Sequence, residues 1–331
     1  MTASSPRAAL ALRTMFIVVA ASWVGVAQAQ QPVAGDAVQW LGRIYQATQS
    51  LSYTGTFVYQ EGDHSETSRI VRRVGSHGSI EKLEALDGAP REVLRTENEV
   101  KCYLPDRRTV KVDRRSDRRA FPALLPAQIG ALEEHYIISK GEITRVAGYE
   151  CQAILLSPKD ELRYGYKLWA DVATGMLLKA VTLDEQGKAL EHFTFTQLSI
   201  GPVPLSEVRP PRTPSNWHVE DADVMPVDLE AAGWSVSPDL PGFKKVTEVK
   251  RKLHQSRQVD QVVYSDGLAA VSVFIEQPPR GGKPQRMGLS SVGAINIYTR
   301  EVADHVVTVV GDAPALSVRR IADTVHFRSP R

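Results

Sequence analysis

The chain has 331 residues, 43% of them hydrophobic and 24% charged, with a formal charge of +2 and only two cysteines. That apolar content is ordinary for a folded protein and excludes a disordered one, and the length suggests two domains. The near-neutral balance argues against a nucleic-acid partner, since proteins that bind nucleic acid carry a marked basic excess.

The first 29 residues read as an export signal. Arg7 and Arg13 precede the apolar run "MFIVVAASWVGVA", which ends in the small-residue site Ala27-Gln28-Ala29. The run is too short to span a bilayer comfortably, with an uncleaved anchor as the alternative. Cleavage after Ala29 removes two arginines and no acid, so the mature chain sits near zero charge. Nothing later is apolar for long enough to be a membrane helix. Cys102 and Cys151 follow in an exported chain, where an even count points to a disulfide. The bridge would close a loop of about fifty residues and contribute about 4 kcal/mol in the chain-entropy model. Two thiols on separate strands are the alternative.

A helix opens the mature fold, with Asp36 as its cap and Val38, Leu41, Ile44, Tyr45 and Thr48 at helical spacing. The stretch "LSYTGTFVYQ" (51–60) alternates, with Leu51, Tyr53, Phe57 and Tyr59 on one side, and predicts a strand with an aromatic face. "TSRIVRRV" sets Ile70 and Val74 against Arg69 and Arg73. "SIEKLEAL" and "REVLRTENEVKCYLP" continue the strands, and "LPDRRTVKVD" reads as a hairpin turning at Pro105-Asp106. Around 124–134, Leu124, Leu125, Ile129 and Leu132 predict one or two short helices laid on the sheet. Five more strands follow to Ile200, turning at "DVATG" and "DEQG" as a meander should. Five prolines in "GPVPLSEVRPPRTPSNW" (201–217) exclude a regular helix and predict an extended connector and domain boundary. Beyond it come "FKKVTEVKRKL", the hairpin "QVVYSDGLAAVSVFIEQ" with a two-residue turn at Asp266-Gly267, a further hairpin, and a last helix capped by Asp312 with Pro314 just inside.

The sequence offers little catalytic chemistry. It contains no Gly-x-Ser-x-Gly elbow, no His-Glu-x-x-His, no Cys-x-x-Cys and no phosphate-cradling glycine loop. His64, His77, His135, His192 and His218 stand alone, and Glu133-Glu134 and Asp184-Glu185 read as solvated surface pairs. Neither an enzyme nor a cofactor is indicated.

Two features carry binding chemistry. One is aromatic: Tyr53, Phe57 and Tyr59, with Tyr164 and Tyr166, and with Phe193 and Phe195, line one face of a sheet too large for its helical cover. Ordinary core under the helices accounts for most of these seven rings, and the surplus makes them the candidate lining of a trough for an acyl chain. The other is basic: from Lys101 to Arg119 the chain holds eight basic side chains against three acidic. Arg107, Arg108, Arg114, Arg115, Arg118 and Arg119 are either a solvated face or a dock for phosphate or carboxylate, which the paired donors of arginine suit.

In "LSYTGTFVY", "YGYKLWADVATGMLLKAVTLDEQGKALEHFTF", "YSDGLAAVSVFIE" and "VVGDAPALSVRRIADTV", taken in this order and spacing, the chain resembles the RseB/MucB family, regulators of the envelope-stress sigma factor. The resemblance implies an α+β protein of the periplasm. Residues 30–200 would form a curved antiparallel half-barrel closed by helices, similar to the lipoprotein carriers LolA and LolB. Residues 201–217 would form a Pro-rich linker, and 218–331 a smaller partner-binding α+β domain. It further implies a partner, the periplasmic domain of a membrane-spanning anti-sigma factor, shielded from site-1 proteolysis until a lipid or lipopolysaccharide signal loosens the grip. A periplasmic lipid or lipoprotein carrier is the other reading, and a homo-oligomer is left open.

Overall fold

The structure, a computed structural model, describes residues 34–114, 121–221, 224–252, 258–278 and 286–328. The export signal and Arg115, Arg118 and Arg119 lie outside these residues. Helix α1 (Ala34–Ser50) opens the chain. It places Ala37, Trp40, Leu41, Ile44 and Ala47 on one buried stripe at three- and four-residue spacing. Leu41 and Ile44 are fully buried, and each such side chain contributes about 1.5–3 kcal/mol through water-free packing. Asp36 is not the predicted cap, because the helix begins ahead of it. Its carboxylate accepts a 2.7 Å hydrogen bond from Lys140 Nζ instead.

Six strands follow: β1 (Tyr53–Glu61), β2 (His64–Gly75), β3 (Gly78–Ala85), β4 (Glu92–Arg95), β5 (Val100–Leu104) and β6 (Thr109–Asp113). After a single-turn helix α2 (Leu132–His135) come β7 (Tyr136–Val146), β8 (Tyr149–Pro158), β9 (Gly165–Asp171), β10 (Leu177–Leu183), β11 (Ala189–Ile200) and the short β12 (His218–Asp221). All twelve join one open sheet in the order β12-β6-β5-β4-β3-β2-β1-β11-β10-β9-β8-β7. The pairs are antiparallel except β12 on β6. The sheet curls: β7 touches β11, four places away, and the Tyr149 hydroxyl on β8 donates to the Leu198 carbonyl on β11 at 3.0 Å. Neither contact can form across a flat sheet with strands about 4.8 Å apart. Helix α1 packs on the inner face against β7, β8 and β10.

The proline-rich stretch is extended but not free. Its short 3₁₀ turn Leu205–Val208 buries Val208, contacts β2 and β3, and pairs Glu207 with Arg69 at 2.8 Å. Trp217 packs on an outer-face cluster of Leu94, Tyr103, Val110 and Val112. The stretch is therefore strapped across the outside of the sheet, and residues 218–221, expected in the second domain, extend the first sheet.

The second sheet comprises β13 (Val224–Pro226), β15 (Lys244–Lys252), β16 (Gln258–Ser265), β17 (Ala270–Glu276), β18 (Gly288–Val292), β19 (Ile295–Val302) and β20 (His305–Gly311), in the order β13-β15-β16-β17-β20-β19-β18. Helix α3 (Ala315–Asp323) covers it, burying Val318, Ile321 and Ala322. The small pair β14 (Trp234–Ser235) and β21 (His326–Phe327) closes one side. Asp312 does not cap α3: Pro314 holds that position, and the Asp312 carboxylate accepts from Ala270 N at 2.5 Å. The turn between β16 and β17 is four residues, Asp266–Ala269, rather than two, because Asp266 Oδ1 accepts from both Leu268 N and Ala269 N.

Candidate functional site: the inner face and the seam between the sheets

The aromatic residues separate into three groups. Tyr53, Phe57, Tyr59, Phe193 and Phe195 come together on β1 and β11, where register places Phe57 opposite Phe195 and Tyr59 opposite Phe193. Phe121, which the sequence reading passed over, closes the cluster: it stacks on Phe193 at 5.1 Å and 13° and lies 5.3 Å from Phe57 and 5.2 Å from Phe195. Such ring pairs add about 0.5–1.5 kcal/mol each beyond burial. Gly55 makes this packing possible, because a Cβ there would lie 2.6 Å from the Phe195 ring and 2.8 Å from the Gln197 carbonyl. Tyr166 stands apart against Tyr136, at 6.3 Å. Tyr164 leaves the inner face altogether and its hydroxyl accepts from Asn296 Nδ2 at 2.8 Å. Burial pushes the hydroxyls of Tyr53 and Tyr166 well above the usual tyrosine range, so these rings stay neutral.

Beyond the rings, the inner face continues over β2 to β5. The cross-strand row Gly55, Ile70, Leu83, Val93, Cys102 is apolar, and its last three members are half-buried. The neighbouring row runs Tyr53, Arg72, Glu81, Arg95. Here buried Glu81 sits between Arg95 at 2.9 Å and Arg72 at 3.6 Å, two cations to one anion. These charges were legible in principle. Arg72 shares the register of Ile70 and Val74, and Glu81 that of Leu83, and a charge in an apolar register signals an inward-facing ion pair.

The predicted basic rim is less coherent. Arg107 and Arg108 are exposed in the turn between β5 and β6, with Arg108 in the left-handed region at φ 47°. Arg114 is bound to the Asp221 carboxylate of β12. The expected Cys102–Cys151 bridge is a correction. Both thiols are free, one on β5 and the other on β8, eight places along the sheet. Burial pushes the Cys151 thiol up to about 11, which leaves it protonated and inert.

The seam between the sheets was missed from sequence. Arg163, in the turn between β8 and β9, has a side chain with 0% exposure. Its Nε donates to Asp266 Oδ2 at 2.8 Å, its Nη1 to Asp160 Oδ2 at 2.5 Å and its Nη2 to the Pro241 carbonyl, while Phe243 lies 5.3 Å from the guanidinium. Ser317 Oγ of α3 donates to the Leu162 carbonyl at 2.8 Å. The two cores also exchange side chains. Leu162, from the β8–β9 turn, is buried in the second core, and Leu268, from the β16–β17 turn, packs against the first. The sequence "DELRYGY" carries one signal for this, a lone arginine between two apolar residues in a tight turn.

The second sheet holds a cleft of about 160 Å³ lined by Leu229, Trp234, Lys245, Glu248 and Tyr264, too small for a drug-sized or acyl guest. Among the described residues no helix is long and apolar enough to cross a membrane, and no cluster of potential ligands could hold a metal ion.

A curled open sheet interlocked with a second sheet, with apolar and cationic rows side by side, defines a binding protein built from two modules. Comparison with known proteins agrees. The MucB/RseB N-terminal domain matches residues 36–218 and the MucB/RseB C-terminal domain residues 228–326, so the chain belongs to the MucB/RseB family, whose members are regulatory proteins and not enzymes. It is similar to the sigma factor AlgU regulatory protein MucB of Pseudomonas aeruginosa, 30% identical over 88% of this chain and 92% of that protein. It is also similar to the sigma-E factor regulatory protein RseB of Salmonella typhimurium, 26% identical over 95% and 97%. Among solved structures, the complex of Pseudomonas aeruginosa MucA and MucB matches with a TM-score of 0.68 and 29% identity over 89% of this chain and all of that one. The crystal structure of MucB alone matches with a TM-score of 0.64 and 27% identity over 90% and 100%.

Proposed function

We propose that this chain acts in the periplasm as a negative regulator of an envelope-stress sigma factor. It binds the periplasmic region of a membrane-spanning anti-sigma factor and shields that region from site-1 proteolysis. One observation carries the reading: the family match spans both sheets, and a relative matching 89% of the chain is solved in complex with MucA. The interlocked seam supports it physically, since a segment held by two modules at once needs them fixed relative to each other. A carrier would use the first sheet alone.

A lipid or lipopolysaccharide fragment releases the partner. The half-buried row Leu83, Val93, Cys102 offers apolar area to acyl chains, and the Arg72–Glu81–Arg95 group and the exposed Arg107 and Arg108 offer cations to anionic head groups. Each tenfold preference of the lipid for the partner-free form weakens the complex by about 1.4 kcal/mol. The test is titration calorimetry of the chain with the periplasmic region of an anti-sigma factor, alone and with lipopolysaccharide. Nanomolar-to-micromolar binding that lipid weakens is the expected result. Absence of binding to the peptide, with retention of lipid, would leave the carrier reading in its place.

A further inference from the structure

The outer face of the first sheet, on the side away from α1, carries a feature that the proposed function does not invoke. Side chains alternate along a strand, so Lys167 and Trp169 on β9, Lys179 on β10 and His192 and Thr194 on β11 lie on the face opposite Tyr166, Leu168, Phe193 and Phe195. Trp169 itself is buried, and Lys167, Lys179, His192 and Thr194 are half-buried. Register aligns them in two adjacent rows across six strands, from β8 through β9, β10, β11 and β1 to β2. One row reads Ala153, Trp169, Lys179, Thr194, Val58, Thr67, and the other Leu155, Lys167, Val181, His192, Gln60, Ser65. Neither row contains a carboxylate. Both lysine ammonium groups converge on one ring, Lys167 Nζ at 4.9 Å and Lys179 Nζ at 4.6 Å from Trp169.

On the other wing of the same sheet, several cations have a carboxylate partner: Lys82 with Glu92, Arg91 with Glu66, Lys101 with Glu99, Lys111 with Glu220 and Arg114 with Asp221. Among the described residues neither Lys167 nor Lys179 has an ion-pair partner. The field they create is felt locally, because the His192 imidazole is held below its usual range by burial and then by Lys179. Two like charges gathered on a nearly buried indole, without a counter-charge, form a surface complementary to carboxylates. The ring adds cation–π attraction that holds the lysine heads in place.

We infer that the outer face of β9 to β11 is a docking surface for an acidic polypeptide segment, whose carboxylates take the place left open between Lys167, Lys179 and His192. The segment lies across the strands, where the flanking Thr194, Gln60 and Ser65 give neutral hydrogen-bonding neighbours. The inference goes beyond the proposed function and concerns the face opposite the apolar row and α1.

The experiment is titration calorimetry of the full chain with a ten-residue peptide of alternating glutamate and serine, in 50 mM and 500 mM salt. Phosphatidylglycerol vesicles serve as the second probe. Wild-type protein is expected to bind the peptide at low salt and to lose at least tenfold in affinity at high salt. The double variant Lys167→Glu, Lys179→Glu is expected to bind at least tenfold more weakly than wild type. The milder Lys167→Gln, Lys179→Gln variant, with unchanged thermal unfolding, excludes misfolding as the cause. Equal affinity in wild type and both variants would overturn the inference, as would failure of wild type to bind the peptide. Vesicle capture that depends on the two lysines, without peptide binding, would overturn it in favour of an anionic membrane surface.

Discussion

The ring cluster inside the first sheet and the seam between the sheets are both largely buried, yet they are built from opposite materials. The cluster joins Phe57, Phe121, Phe193 and Phe195 by contact alone and contains no charge. The seam gathers one arginine, two aspartates and a carbonyl around a guanidinium with no exposed surface. Apolar packing is non-directional and tolerates small adjustments, whereas a buried ion pair with hydrogen bonds on every side fits one arrangement only. The difference teaches that the first sheet's interior supplies stability, while the seam supplies the fixed relation of the two modules.

Breaking the seam tests this most severely. Arg163→Ala leaves Asp266 buried and unpaired and is expected to cost about 3–5 kcal/mol in urea unfolding. Limited proteolysis should show new cleavage between the sheets, and partner affinity should fall. Arg163→Met, paired with Asp266→Asn, is expected to recover much of the stability but not the partner affinity. Recovery of both would mean that packing alone sets the relation of the sheets.

Breaking the ring cluster has a comparable cost and a different signature. Phe195→Ala is expected to lose about 3–5 kcal/mol, read in the same unfolding assay, with the seam intact and no new cleavage between the sheets. A smaller effect comes from the glycine beneath it. Gly55→Val drives a side chain into the Phe195 ring and the Gln197 carbonyl, and should cost about 1–3 kcal/mol by overpacking. A neutral outcome would show that β1 and β11 can separate without loss.

The smallest effect separates the regions by pH. The Asp312 carboxyl lies beside the seam, where burial raises it from the usual aspartate value to about 6, with Glu191 and Asp266 adding to the rise. The folded protein therefore holds this proton more tightly than the unfolded chain. Its contribution is complete below about pH 4 and is lost as pH rises through 6. The urea midpoint should increase between pH 7 and pH 5, and Asp312→Asn should flatten that increase. Phe195→Ala should leave the pH slope unchanged.

The strands were legible because each carries its own periodicity. "LSYTGTFVYQ" and "LRYGYKLWAD" alternate, and the turn residues between strands fix where each ends. The caps at Asp36 and Asp312 were misread for a shared reason: a carboxylate near a helix start has other donors available in three dimensions, here Lys140 and the Ala270 amide. The proline-rich stretch was recognised as extended, but nothing in its composition says that Trp217 and Val208 dock on the sheet they leave. The cysteine pair was misjudged because count and compartment carry no distance, and only strand order places the two thiols eight places apart. Of the candidate site, alternation grouped the rings of β1 and β11 on one face but said nothing of their pairing, which strand register supplies, while Tyr164 followed the same alternation and ended in the seam.

What the sequence determined by itself is local: which segments are strands, which faces are apolar, and, by resemblance, the family. Those properties depend on residues a few positions apart, whose spacing the chain states directly. The tertiary structure decided everything that joins distant residues, including the curl of the sheet, the exchange of Leu162 and Leu268 between cores, the Arg163 latch, and the gathering of Lys167, Lys179 and His192 on one face. A charge in the sequence is only a charge; whether it is latch, rim or dock depends on which opposite charge the fold brings to it.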